Sequence, residues 1–204
     1  MAALANFEAA LSVRQRHAFK ALTTPDKIQK FLDRIRYHED DDYHCPLTTL
    51  KTGRGCCFEG ALLGAAALAR LGHAPIVVTL IAEDDDDHVL AIYKKNNCWG
   101  AVAKSIYPGL RSRQPVYRTL RELVMSYFEF YFNSRRRRTL REYSIPLNLT
   151  RFDRENWLEN DVTIGSVSDA LDRTKHIKLF SGHLAGRLTR VDSGLFKAGK
   201  PNSR

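Results

Sequence analysis

The chain has 204 residues, 44% of them hydrophobic and 27% charged, with a formal net charge of +9. That length can bury one good core with an appended subdomain, and its apolar runs are far too short for a membrane-spanning class. Its four cysteines lack the paired spacing of a disulfide framework or a zinc site. The charge is unevenly placed. Eight basic residues between Arg173 and Arg204 face Asp192 alone, so the tail holds +7 of the total and the first 172 residues are near neutral. Such basic residues read first as solvated or helix-capping charge, with an acidic partner for the tail as the alternative and a nucleic acid less favoured. Residues Met1 to Ala10 carry Glu8 and no basic region, unlike a signal peptide, so a reducing cytoplasm is the expected compartment.

In chain order, Phe7, Leu11, Ala18 and Leu22 mark a helix from about Ala3 to Leu22. Thr24-Pro25-Asp26 caps a second helix reaching about Tyr37, with Ile28, Phe31, Leu32 and Ile35 as its apolar stripe. A third helix runs from Gly55 to Leu71. Glu59 lies in its first turn, Ala61, Leu62, Ala65, Leu68, Ala69 and Leu71 fall at helical spacing, and Gly72 closes it. Its alanines make it slender, so a sheet can approach closely. Residues 74–82, 88–93 and 98–103 then read as three strands of an antiparallel meander. Pro115 opens a further expected helix with an aromatic stripe from Tyr117 to Tyr131. The arginines at 135–138, with Arg141, are expected at that helix's C-terminal end. Thr139 to Ile145 reads as a strand and Val167 to Arg173 as a short helix, and Lys200 to Arg204 has the composition of a frayed end.

The chemically informative stretch is Gly55-Cys56-Cys57-Phe58-Glu59-Gly60, with His88 placed 31 residues after Cys57. Cys57 falls in the first turn of the third helix, where unpaired N–H groups favour an anion, and His88 opens a strand. A helix N-terminus and a nearby imidazole together depress a thiol pKa into the reactive range. Cys56 points about 100° away around the helix and reads as structural. His44 reads as a loop histidine. Asp84-Asp85-Asp86-Asp87 lacks calcium-loop spacing and reads as a solvated turn. No metal and no organic cofactor is implied.

From Gly55 through Gly72, with Pro75, His88 and Trp99 in order behind it, the chain resembles the transglutaminase-like superfamily, bacterial-type members included. That superfamily shares the papain-like cysteine-protease core, and the resemblance spans about residues 50 to 105. It implies an α+β fold with a central helix on an antiparallel sheet and flanking helices. It also implies Cys57 as nucleophile and His88 as general base. The chain departs from the family at the aspartate that orients the histidine. Residues Trp99 to Ile106 contain no carboxylate. Ser105 is the candidate for that orienting role, with a backbone carbonyl, Asn97, Asp86 or Asp87 as alternatives.

The resulting expectation is a thiol enzyme acting on an amide or related acyl bond (amidase, peptidase or acyltransferase) of a peptide, protein or small amide substrate. The alternative is a binding protein that keeps the fold without a complete triad. Residues 1–145 form the expected core with its N-terminal helices, and 146–204 an extension packed on it with the basic tail. Neither a membrane nor a nucleic acid is an expected partner.

Overall fold

The computed structural model describes residues 2–39 and 42–200. The end expected to fray therefore lies, beyond Lys200, outside the described residues. The chain folds as an α+β protein around an antiparallel sheet. In order its elements are α1 (Ala2–Ala10), α2 (Val13–Lys20), α3 (Pro25–Arg34), α4 (Pro46–Thr52), α5 (Cys57–Arg70), β1 (Ile76–Ala82), β2 (His88–Lys95), β3 (Cys98–Val102), β4 (Arg113–Tyr117), α6 (Leu120–Met125), β5 (Leu140–Ser144), β6 (Leu147–Asn148), α7 (Asp161–Asp172), β7 (His176–Lys178), α8 (Gly182–Ala185) and α9 (Ser193–Ala198). Short 3-10 turns cover Pro108–Leu110, Phe128–Phe130 and Leu149–Glu155. The strands pair in the order β4-β3-β2-β1-β5-β7, with β6 also on β1. No helix among the described residues is long and apolar enough to cross a membrane.

Both faces of the sheet are covered, which is why β1 and β2 read as continuous apolar runs rather than alternating ones. Val77, Val89, Ala91 and Val102 pack with α5, α3 and α7 in one core. Val78, Leu80, Leu90 and Ile92 pack on the other face with Leu123, Val124, Tyr127 and Tyr131. Helix α5 is buried along nearly its whole length. Its small residues let it lie close to the sheet, as a Cβ built at Gly60 would fall 2.2 Å from the Cβ of Lys104. We expect Gly60→Ala to cost about 1–3 kcal/mol by overpacking. A chemical denaturation curve checks this, and an unchanged midpoint would contradict it. Gly72, at φ +89°, ends α5 as expected, with the His73 N–H returning to the Leu68 carbonyl at 3.1 Å.

Four expectations are corrected. The first helix is two, because Ser12 starts α2 with a capping box closed by Gln15. The second helix stops at Arg34, short of Tyr37. Pro115 does not open a helix. It sits in edge strand β4, where its missing N–H costs no ladder bond, and the helix behind it is only Leu120–Met125, capped by Thr119. The arginines at 135–138 do not cap a helix either. They form a turn, with Arg136 at φ +61°, in which Arg137 pairs with Asp84 and Arg138 with Glu129. The region after 146 is more regular than its sequence suggests. Asn160 caps the twelve-residue α7, which buries Ile164 and Val167 in the α5 core. Strand β7 extends the sheet from β5.

Candidate active site

Two loops bring α5 to the site. After α3 the chain runs beside the loop that enters α5. The Arg36 N–H donates to Gly53 O at 2.8 Å and the Gly55 N–H to Arg36 O at 3.0 Å. Gly53 turns with φ +66°, conformationally open to glycine. Cys56 is then the N-cap of α5, and Cys57 its first helical residue. Glu59, fully buried, reaches back over this start. Its Oε2 accepts the Cys56 N–H at 2.7 Å and lies 2.7 Å from His38 Nε2, while its Oε1 accepts the His44 N–H at 2.9 Å. Sequence reasoning saw in Glu59 only an acid suited to the helix dipole. The capping-box spacing Cys56-x-x-Glu59 was the signal for the larger role.

Cys57 and His88 line one open cleft, together with Tyr37, Ser105, Tyr107, Leu110, Tyr131 and the acidic loop 85–87. Phe132 and Gly199, the latter just beyond α9, form one of its edges. The Cys57 thiol is half-buried, and its Sγ lies 3.9 Å from the Asp87 carbonyl oxygen. Its pKa is held well below the ordinary thiol range. The adjacent Cys56 thiol contributes most; His88 and the Val89 N–H add to this, and together they outweigh desolvation. Cys56 is pushed up by the same contact, so of the two adjacent thiols it is Cys56 that keeps its proton.

His88 is buried, with Nε2 2.8 Å from the carbonyl oxygen of Leu110. A carbonyl only accepts, so Nε2 carries the hydrogen and Nδ1 is the ring atom left for a proton exchange. The loop that carries this carbonyl is held by Arg113. Arg113 donates to Gly109 O at 2.7 Å, Ser112 O at 3.1 Å and Ser126 Oγ at 2.9 Å, and its guanidinium lies 3.8 Å over the Tyr127 ring.

Ser105 lines the cleft, but its Oγ accepts the Tyr107 N–H at 3.0 Å and the ring's own bond goes to Leu110. Asn97 sits with φ +59° at the turn between β2 and β3. The acidic loop is pinned rather than loose. Asp87 Oδ1 accepts the Ala82 N–H at 2.8 Å, Asp85 Oδ2 accepts the Thr139 hydroxyl at 2.6 Å, and Tyr131 donates to the Asp86 carbonyl at 2.6 Å. Among the described residues no group of His, Cys, Asp or Glu is arranged to hold a metal ion. His44 lies on the far side of Glu59, its ring centre 6.3 Å from that of His38. The Tyr37 hydroxyl is kept protonated, first by burial and then by the charge of the Cys57 thiolate.

No family model and no curated protein matches the chain. Among solved structures it is similar to Legionella pneumophila LapG at 13% identity and a TM-score of 0.37, over 54% of this chain and 82% of that one. An EGTA-treated form of the same protein gives the same identity and TM-score, over 50% and 68%. A likeness this distant says nothing of reaction or substrate.

Proposed function

We propose that the chain is a transglutaminase-like thiol enzyme that cleaves or transfers an amide or related acyl bond, most directly as a peptidase. One observation carries this. A pKa-lowered thiol at the start of a 14-residue helix shares a cleft with an imidazole whose far nitrogen is tied to the Leu110 carbonyl. In this reading the Cys57 thiolate attacks the substrate carbonyl carbon, an S–C bond forms, and the π pair moves onto oxygen. The Cys57 N–H, unpaired in the first turn, stabilises that oxyanion, with the protonated Tyr37 hydroxyl as a second donor. His88, protonated at Nδ1 by the thiol's proton, hands it to the leaving amine as the C–N bond breaks. Water or an amine then attacks the acyl-enzyme as His88 takes its proton.

Acylation by p-nitrophenyl acetate tests the reading. The native protein should release a burst of p-nitrophenolate equal to the protein present, and Cys57→Ser should abolish it. Tyr37→Phe should slow the burst by about 10²-fold, the loss typical of one oxyanion donor. A burst of unaltered rate would remove Tyr37 from the oxyanion site.

A second reading, a non-catalytic binding protein, is favoured by the neutral carbonyl where a carboxylate would stabilise an imidazolium more strongly. A folded protein with no burst would establish it over the first.

A further inference from the structure

Beside the cleft lies a second, roomier concavity, sharing Tyr37, Ser105 and Ile106 as a common wall. Its lining is basic. Among the described residues, Arg34, Arg36, Lys104 and Arg111 face it against the single carboxylate of Asp33, which Arg111 binds. Two of these guanidiniums are unspent. Among the described residues no side-chain hydrogen bond or ion pair engages Arg34 or Arg36, and both side chains are exposed. Arg111 also carries a buried Nε with no partner. Lys104 is committed differently, its Nζ donating to the Ile35 carbonyl from a buried position.

The concavity is fixed to the cleft by backbone. Arg36 is bonded through its own N–H and C=O to Gly53 and Gly55, immediately before Cys56 and Cys57. Tyr37, the next residue, is the shared wall. A guanidinium presents a planar fork that matches a carboxylate, and both unspent forks are accessible to one. The opposite side of the cleft carries Asp85, Asp86 and Asp87, which repel an anion and direct it to the basic side.

We propose that this lobe is the subsite for an acidic side chain, aspartate or glutamate, of a peptide whose scissile carbonyl lies at Cys57. The inference rests on the thiol-enzyme reading above, which it extends to a substrate class.

Peptide vinyl sulfones that differ only in a Glu, Gln or Lys next to the electrophile test it. The Cys57 thiolate adds to the vinyl carbon β to the sulfone, and the displaced π pair is protonated at the carbon α to the sulfone, so the labelling rate reads peptide binding at the cleft. The Glu probe should label Cys57 at least about tenfold faster than the Gln probe, the worth of a charge-assisted hydrogen bond. That ratio should shrink in high salt and fall to near one in R34E/R36E, and in R34Q/R36Q should the charge reversal fail to fold. Using the Gln probe as reference within each protein removes any general change in thiol reactivity. Equal Glu and Gln rates in the native protein, a Lys probe that labels fastest, or a Glu preference that survives both double variants would each overturn the subsite. A native Cys57 that reacts with iodoacetamide no faster than Cys45 or Cys98 would instead overturn the thiol-enzyme reading, and the subsite with it.

Discussion

Replacing Glu59 by alanine is expected to destabilise the protein by about 3–5 kcal/mol, the cost typical of breaking a buried ionic or charge-assisted cluster. Three donors converge on its two oxygens, the N–H groups of Cys56 and His44 and the ring of His38. Both Glu59 and His38 are almost wholly removed from water, so the Cys56 N–H and the His38 ring cannot recover a water partner there. For a chain of this size the melting temperature should fall by roughly 6–20 °C. Glu59→Gln should do little better. An amide offers one acceptor and turns an NH₂ group towards a donor, leaving at least one bond unmade. Because Cys56 is one of the three, thiol reactivity should weaken with stability as the start of α5 loosens. Calorimetry of the two variants checks this, and a melting temperature within about 2 °C of the native value, corresponding to under 1 kcal/mol, would mean that Glu59 is not the buttress described.

His88→Ala is expected to slow acylation by p-nitrophenyl acetate by about 10²–10⁴-fold, the range for losing a general base. The imidazole lines the cleft with the thiol and is among the causes that lower the Cys57 pKa. His44→Ala should leave the burst within about threefold of native, because His44 meets α5 through its backbone N–H on Glu59 rather than through its ring. Equal losses in the two variants would mean that the effect of His88 is structural.

Much of the core was legible from periodicity, because α5, β1, β2 and β3 carry strong repeats and are bounded by Gly72, the acidic loop and the Asn96-Asn97 turn. The division at Ser12 was also visible, since Ser12-x-x-Gln15 is a capping box, but the longer apolar repeat masked it. Pro115 misled because proline starts helices and also tolerates edge strands, and only the pairing of β4 with β3 separates the two. The arginine turn was illegible for a related reason, as its partners Asp84 and Glu129 lie far off in sequence or across a bend. At the candidate site, thiol and imidazole could be named from residue type and spacing. The partner of the His88 ring could not, because a backbone carbonyl leaves no side chain to read. The same holds for the basic lobe, which joins residues 34–36 to 104–111 only once β3 lies beside α3.

The central claim is that His88 lowers the pKa of Cys57, and the pH dependence of alkylation tests it most directly. Iodoacetamide reacts with the thiolate, so its rate at Cys57 follows the ionised fraction. A depressed pKa keeps that fraction high as pH falls below the ordinary thiol value of about 8.5, and reactivity is lost only when pH passes the lowered value. Rates at each of the four cysteines, obtained by peptide mapping from about pH 5 to 9, give the profile for native protein and His88→Ala. The account predicts that native Cys57 labels first and that its rate begins to fall at a lower pH than in His88→Ala, which keeps the contributions of Cys56 and the Val89 N–H and loses those of the imidazole. Superimposable profiles for the two proteins, or faster labelling of Cys45 or Cys98 than of Cys57, would contradict it.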